Sequence, residues 1–137
     1  MFILFSTLLN NRIEKEREMF LGNFDRIIDE KKRIAIPPQF LREFSGIDIQ
    51  VIIAQSPEKC LYFFPSYELE KIIEKLKKIS PLEIIQIKSR GRISISRGLK
   101  KYAGLEREVI LVGCFNYIEI WNKREWNEEK NREIKTE

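Results

Sequence analysis

Residues 24–36 read FDRIIDEKKRIAI and are followed by two prolines. Apolar and mostly β-branched residues flank the polar segment DEKK, a pattern typical of a β-hairpin whose second strand is stopped by proline. The next segment, QFLREF (39–44), has apolar residues at helical spacing, and proline is favoured in the first turn of a helix. We therefore predict strands over 20–28 and 33–36, followed by a helix of about two turns.

Two further strands and a longer helix complete this pattern. The segments IDIQVIIA (47–54) and CLYFF (60–64) read as strands joined by the turn QSPEK. After Pro65, the helix predicted over 66–80 has one apolar stripe among lysines and glutamates. The stripe consists of Leu69, Ile72, Ile73, Leu76 and Ile79.

The same order of elements then begins again, which makes the chain a tandem repeat. The segment EIIQIKSRGRISI (83–95) aligns with 24–36, so that Arg92 falls on Arg33 and Ile93 on Ile34. The register continues through the short helix, the third and fourth strands and a last helix over 123–134. We therefore predict an α+β fold in which a β-β-α-β-β-α unit occurs twice.

Composition excludes several classes of protein. The chain has 137 residues, 43% of them hydrophobic, and no histidine, which removes the commonest general base and zinc ligand. Cys60 and Cys114 lie in separate apolar runs without metal-ligand spacing, so we interpret them as core residues. No apolar run is long enough to span a membrane. We expect no catalytic residues, no metal, no cofactor and no small-molecule substrate, and a carboxylate hydrolase is the least favoured function.

The first 18 residues fall outside the repeat. They begin with the apolar run MFILFSTLLN, which lacks the basic start and cleavage site of a secretory signal, and continue into a mixed-charge stretch. Met19 opens the segment MFLGNF. We therefore interpret 1–18 as an extension that is not part of the domain.

Positive charge is concentrated in the two equivalent hairpin turns. Seven Lys or Arg residues stand against one acid over 88–107, whereas the whole chain carries +4. Such clustering suits a phosphate-binding surface, and an arginine on a β-ribbon can read a guanine edge in the major groove. Two alternatives remain open: basic turns are often merely solvated, and either Arg33 or Arg92 could pair with Asp29 or a neighbouring carboxylate to hold the turn. The candidate DNA-binding residues are Lys31, Lys32, Arg33, Lys88, Arg90, Arg92 and Lys101.

Specific segments resemble the MraZ family of bacterial transcriptional regulators, built from two SpoVT-AbrB units. The matching segments are MFLGNF, DEKKRIAIP, CLYFFPSYELEKIIEKL and AGLEREVILVGCFNYIEIWNKREW, which together span about Met19 to Trp126. Three departures stand out. Lys32 takes the usual glycine position of the first turn, Lys88 takes the usual aspartate position of the second, and the connection before the second hairpin is shorter.

The resemblance implies tandem AbrB-like units with swapped hairpins, forming a pseudo-twofold β-barrel with peripheral helices. It also implies a regulator that binds double-stranded DNA through the turns 29–33 and 88–92 and acts as a repressor near division and cell-wall genes. Such a protein is cytoplasmic, nucleoid-associated and homo-oligomeric, without a membrane partner. The alternative is a structural oligomerisation protein without specific DNA binding. The expected segments are an extension (1–18), a first unit (19–66), a connecting helix (67–82), a second unit (83–126) and a polar tail (127–137).

Overall fold

The computed structural model describes residues 20–43, 50–65, 82–87 and 91–136. Three sequence predictions lie outside these residues: the N-terminal extension, the amphipathic helix over 66–80, and the candidate site residues Lys88 and Arg90. None of the described helices is long and apolar enough to cross a membrane.

The described elements follow the predicted order in both repeats. The first repeat contains β1 (Asn23–Ile27), β2 (Arg33–Ala35), helix α1 (Pro38–Leu41), β3 (Gln50–Gln55) and β4 (Leu61–Pro65). The second contains β5 (Leu82–Gln86), β6 (Arg92–Ser94), α2 (Arg97–Tyr102), β7 (Glu108–Gly113), β8 (Ile118–Asn122) and α3 (Lys123–Thr136). The prediction of an α+β fold with two repeats is confirmed. Helix α1 has four residues and is therefore shorter than the two turns predicted.

Six strands form one antiparallel sheet in the order β1-β7-β8-β4-β3-β5. The first strand of each repeat pairs with the third strand of the other repeat, β1 with β7 and β5 with β3. The two fourth strands pair at the centre, where Tyr62 lies opposite Glu119. The register is symmetric about this pair, since Leu61 meets Ile120 and Phe63 meets Ile118. Neither repeat therefore completes its sheet without the other.

The remaining two strands, β2 and β6, form a separate antiparallel ribbon. Ile34 pairs with Ile93 at its centre. Two backbone hydrogen bonds extend the ribbon beyond the strands, from Ile95 N to Lys32 O (3.0 Å) and from Ile36 N to Gly91 O (2.8 Å). Lys32 and Gly91, the last residues before β2 and β6, are thus each bonded to a segment of the other repeat.

The main core lies between the sheet and the ribbon. Ile34 and Ile93 are fully buried there, together with Phe40 of α1 and Leu99 of α2. Sheet residues contribute at alternate positions, as expected for one face of a strand. This set consists of Val51, Ile53, Leu61, Phe63, Val109, Leu111, Ile118 and Ile120.

A second apolar cluster covers the opposite face of the sheet. Trp121 is 4% exposed and packs against Trp126 of α3, with ring centroids 5.6 Å apart. Asn122 caps α3, because its Oδ1 accepts hydrogen bonds from the backbone amides of Arg124 and Glu125. Both tryptophans therefore have a packing role, and α3 lies on the side of the sheet away from the ribbon.

Both cysteines are poor nucleophiles in this environment. Burial raises the pKa of the Cys60 thiol, and it raises that of Cys114 to about 12. Because the thiolate is the reactive form, we expect neither cysteine to react with Ellman's reagent at pH 8 in the native protein. Denaturant should expose two thiols per chain. Rapid reaction of either cysteine before unfolding would contradict their assignment to the core.

The carboxyl group of Glu119 is half-buried at the centre of the sheet. Burial raises its pKa, while the hydrogen bond from Trp121 Nε1 (2.9 Å) lowers it. A raised folded pKa stabilises the protein at low pH, and this contribution is lost as the pH rises from about 4.5 through the folded pKa. We therefore expect Glu119→Gln to raise the free energy of unfolding at pH 7 and to flatten its decline with pH. Urea unfolding between pH 4 and 8 measures this. The exposed Glu108→Gln, with the same charge change, should do neither.

Candidate nucleic-acid interface

The ribbon presents both candidate arginines on one face. Arg33 pairs with Ser94 and Arg92 pairs with Ala35, whereas the buried pair between them points into the core. Arg33 and Arg92 are therefore diagonal neighbours on the outer face, at a spacing of roughly 7–8 Å for such a pair. A two-stranded ribbon of this kind fits the major groove of B-DNA. The two arginines occupy equivalent positions in the two repeats, and the pairing of β2 with β6 brings them together.

The first turn is organised by the Asp29 carboxylate. Its Oδ1 accepts hydrogen bonds from the backbone amides of Lys31 (2.8 Å) and Arg33 (2.9 Å), and its Oδ2 accepts one from Arg33 Nε (2.9 Å). These donors, led by the Arg33 amide, hold the pKa of Asp29 below its usual value. The structure thus contains an ion pair between Arg33 and Asp29, which is one of the alternatives to a DNA-binding role that the sequence left open. Arg33 is thus part of the turn's framework, and its guanidinium is not a free cation.

The two lysines of this turn are exposed to solvent. Lys32 has a φ of 61°, and Gly91, the equivalent residue of the second turn, has a φ of 66°. The left-handed conformation costs a lysine about 1–2 kcal/mol but costs glycine nothing. The first turn therefore keeps a positive charge at a position where glycine would be easier to accommodate.

This conformation predicts the effect of restoring the glycine. We expect Lys32→Gly to raise the free energy of unfolding by up to about 1 kcal/mol, because relief of backbone strain exceeds the greater entropy of the unfolded chain. Chemical denaturation measures the change. Lys31→Gly is the control, since its φ is not positive and its stability should fall. An equal loss in both variants would show that strain at Lys32 is not significant.

Arg92 has no equivalent of the Asp29 clamp in the described residues. Its Nε is buried and has no hydrogen-bond partner there. The position that aligns with Asp29 is Lys88, a cation. A Cβ added to the adjacent Gly91 would lie 2.5 Å from Cδ1 of Leu41, so Gly91 packs closely on α1. Lys32 and Gly91 therefore share the left-handed conformation, whereas the aligned residues Asp29 and Lys88 differ in charge.

Arg107 is a basic residue of this region that the sequence analysis did not assign to the site. Its carbonyl accepts a hydrogen bond from Ile28 N (2.9 Å), which places it beside the first turn. It lines a cavity of about 400 Å³ together with Lys31, Arg33 and the acidic pair at 29 and 30. Arg107 belongs to the second repeat and reaches this turn only because β1 pairs with β7. The sequence feature that could have assigned Arg107 to the site is its position in the basic run over 88–107.

The last candidate, Lys101, lies in the final turn of α2 rather than on the ribbon, and it is exposed. No group of His, Cys, Asp or Glu side chains in the described ranges could hold a metal ion. The described surface that gathers the candidate residues is therefore the ribbon face with the first turn, which we call the basic ribbon: Lys31, Lys32, Arg33, Arg92 and Arg107.

Comparison with known proteins gives a consistent family. The profile described as "MraZ protein, putative antitoxin-like" matches residues 19–84 and again 83–135. A relative from Thermomicrobium roseum, named transcriptional regulator MraZ, is 33% identical over 79% of this chain and 84% of its own length. A relative of the same name from Dehalococcoides mccartyi is 34% identical over 82% of this chain and 88% of its own length.

A third relative of that name, from Desulforamulus reducens, is 31% identical over 80% of this chain and 85% of its own length. The two profile matches fall on the two repeats that share the ribbon, and together they cover most of the sequence. The chain belongs to the MraZ family.

Proposed function

We propose that this protein is a sequence-specific, DNA-binding transcriptional regulator and that the basic ribbon is its DNA-contacting surface. The relatives' shared name supports a role in transcription. The observation that carries the proposal is the pairing of β2 with β6, which places an arginine from each repeat on one exposed face. We further propose that the protein associates with the nucleoid and represses division and cell-wall genes.

The chemistry of the basic ribbon fits both parts of DNA recognition. Exposed lysines suit phosphate contacts, which provide affinity without sequence preference. The Arg33 guanidinium has five N–H donors and uses Nε for Asp29, so its terminal amino groups can approach a guanine edge. The proposed phosphate contacts are Lys31, Lys32, Lys88, Arg90 and Lys101, and the proposed leading contacts are Arg33 and Arg92.

The finer architecture is part of the same proposal. We propose that sheet and ribbon close into a pseudo-twofold barrel of swapped hairpins, with units at 19–66 and 83–126. The exchange of first strands between repeats and the symmetric registers support it. We further propose a homo-oligomer, because units of this size bury little surface alone.

The test is binding of a fluorescent duplex from the region upstream of the protein's own gene, compared with a random duplex of equal length. We expect tighter binding to the upstream duplex and a linear fall of log K with log salt. Lys31→Ala should reduce the slope by about 0.9. The matched control Lys130→Ala removes the same charge from α3, on the other side of the sheet, and should leave the slope unchanged. Absence of binding at moderate salt would leave the structural oligomerisation protein as the better reading.

A further inference from the structure

The cavity of about 400 Å³ beside the first turn lies where the two repeats meet. Its walls come from the end of β1, from the turn itself and from Arg107, which precedes β7. The hydrogen bond from Ile28 N to Arg107 O (2.9 Å) fixes the backbone of Arg107 here, and the next pair in register is Ile27 with Glu108. The volume lies in the range of ligand pockets in proteins, so the cavity has room for more than a single small ion.

The charges around the cavity leave an open positive surface. Asp29 and Arg33 bond to each other at 2.9 Å, so this pair adds no net charge. The other charged side chains of the wall are the exposed Lys31, Arg107 and Glu30. None of these three side chains makes a hydrogen bond or an ion pair with another residue that the structure describes. Two open cations beside one open carboxylate favour an anionic ligand.

We propose that this cavity binds two neighbouring phosphates of the DNA backbone, one at Lys31 and one at Arg107. The inference rests on the proposed function and deepens it. Lys31 belongs to the first repeat and Arg107 to the second, so the pairing of β1 with β7 creates the site. Arg33 lines the same cavity, and phosphate contacts at its side fix the register in which its guanidinium meets the base edges.

The salt dependence of DNA binding counts these contacts. Each phosphate neutralised by a lysine or arginine contributes about 0.9 to the magnitude of the slope of log K against log salt. Arg107→Ala should therefore reduce this slope by about 0.9, and the double variant with Lys31→Ala should reduce it by about 1.8. Between 50 and 200 mM salt, a difference of 0.9 corresponds to roughly a 3.5-fold smaller fall in affinity. A double variant with the same slope as Lys31→Ala alone would overturn the inference.

Two further variants test whether the effect belongs to this cavity. Arg124 is an exposed arginine that lines a neighbouring cavity together with Arg107, but it lies on α3 and pairs with Glu106 at 3.2 Å. Arg124→Ala should leave the slope unchanged, and a fall as large as that of Arg107→Ala would contradict the site. Glu30→Gln removes the opposing charge and should tighten binding to the upstream and the random duplex alike. Unchanged or weaker binding in Glu30→Gln would also contradict it.

Inorganic phosphate provides a readout without DNA. It should raise the melting temperature of the wild type and of Arg124→Ala more than that of Arg107→Ala. General stabilisation by phosphate excluded from the protein surface is common to all three proteins, so the difference reports the site.

The two measurements separate this inference from the proposed function. Duplex binding with equal salt slopes in the wild type and Arg107→Ala would refute the Arg107 site alone. If no duplex binds, a smaller phosphate shift in Arg107→Ala would refute the proposed function and leave a site for free phosphate. Equal phosphate shifts without duplex binding would refute both.

Discussion

Replacing Phe40 with alanine is expected to lower the free energy of unfolding by about 3–5 kcal/mol. Phe40 is fully buried although it lies on a helix of four residues. Its ring makes edge-to-face contacts with Phe20 and Phe24, with centroid distances of 5.7 and 5.0 Å. The substitution therefore removes a large buried side chain and two aromatic contacts that join α1 to the start of β1.

Urea unfolding followed by tryptophan fluorescence measures this loss. Leu99 holds the equivalent position in the second repeat and is 3% exposed, so Leu99→Ala should cost about 2–5 kcal/mol. Arg42→Ala, at an exposed residue just after α1, should change stability by less than about 0.5 kcal/mol. A loss below about 1 kcal/mol in Phe40→Ala would mean that α1 does not pack on β1 as described.

A loss of about 2–5 kcal/mol is also expected for Ile93→Ala. Ile93 is fully buried and pairs with Ile34 at the centre of the ribbon, directly behind Arg92. The cavity would loosen the element that carries both arginines, so we expect weaker DNA binding as well as lower stability.

The neighbour Ser94 provides a matched control for this prediction. It is exposed on the opposite face of the same strand, and Ser94→Ala should leave stability within about 0.5 kcal/mol of the wild type. Measuring the free energy of unfolding and the DNA affinity of Ile93→Ala and Ser94→Ala compares the buried and the exposed face of β6. Similar losses in both variants would contradict the alternation of buried and exposed positions along the ribbon.

The sequence predicted the elements well because alternating apolar residues and prolines are local signals. The alignment of Ile34 with Ile93 likewise anticipated two equivalent strands. It could not show by itself that these two strands pair with each other, or that β1 pairs with β7, because periodicity does not identify a strand's partner. The resemblance to a family of interlocking hairpins was the one source of that expectation.

The sequence predicted which residues belong to the site better than it predicted the contacts that they make. Charge clustering identified Arg33 and Arg92, but only the structure shows that Arg33 is held by Asp29 and that Arg92 Nε lacks a described partner. The sequence did not assign Arg107 to the site, because Arg107 belongs to the second repeat and lies beside the turn of the first. The left-handed conformation of Lys32 had one signal, the family's usual glycine at that position. Contacts between the two repeats thus cannot be predicted from the order of residues along the chain.

The central claim is that the outer face of the ribbon contacts DNA, and site-directed photo-cross-linking tests it most directly. Ser94→Cys lies on that face, whereas Asn127→Cys lies exposed on α3, on the other side of the sheet. Because the native thiols are expected to be unreactive, each variant can carry a single aryl azide. Cross-linking of the upstream duplex from position 94, with little or none from position 127, is the result that we predict. Cross-linking from position 127 alone would contradict the account.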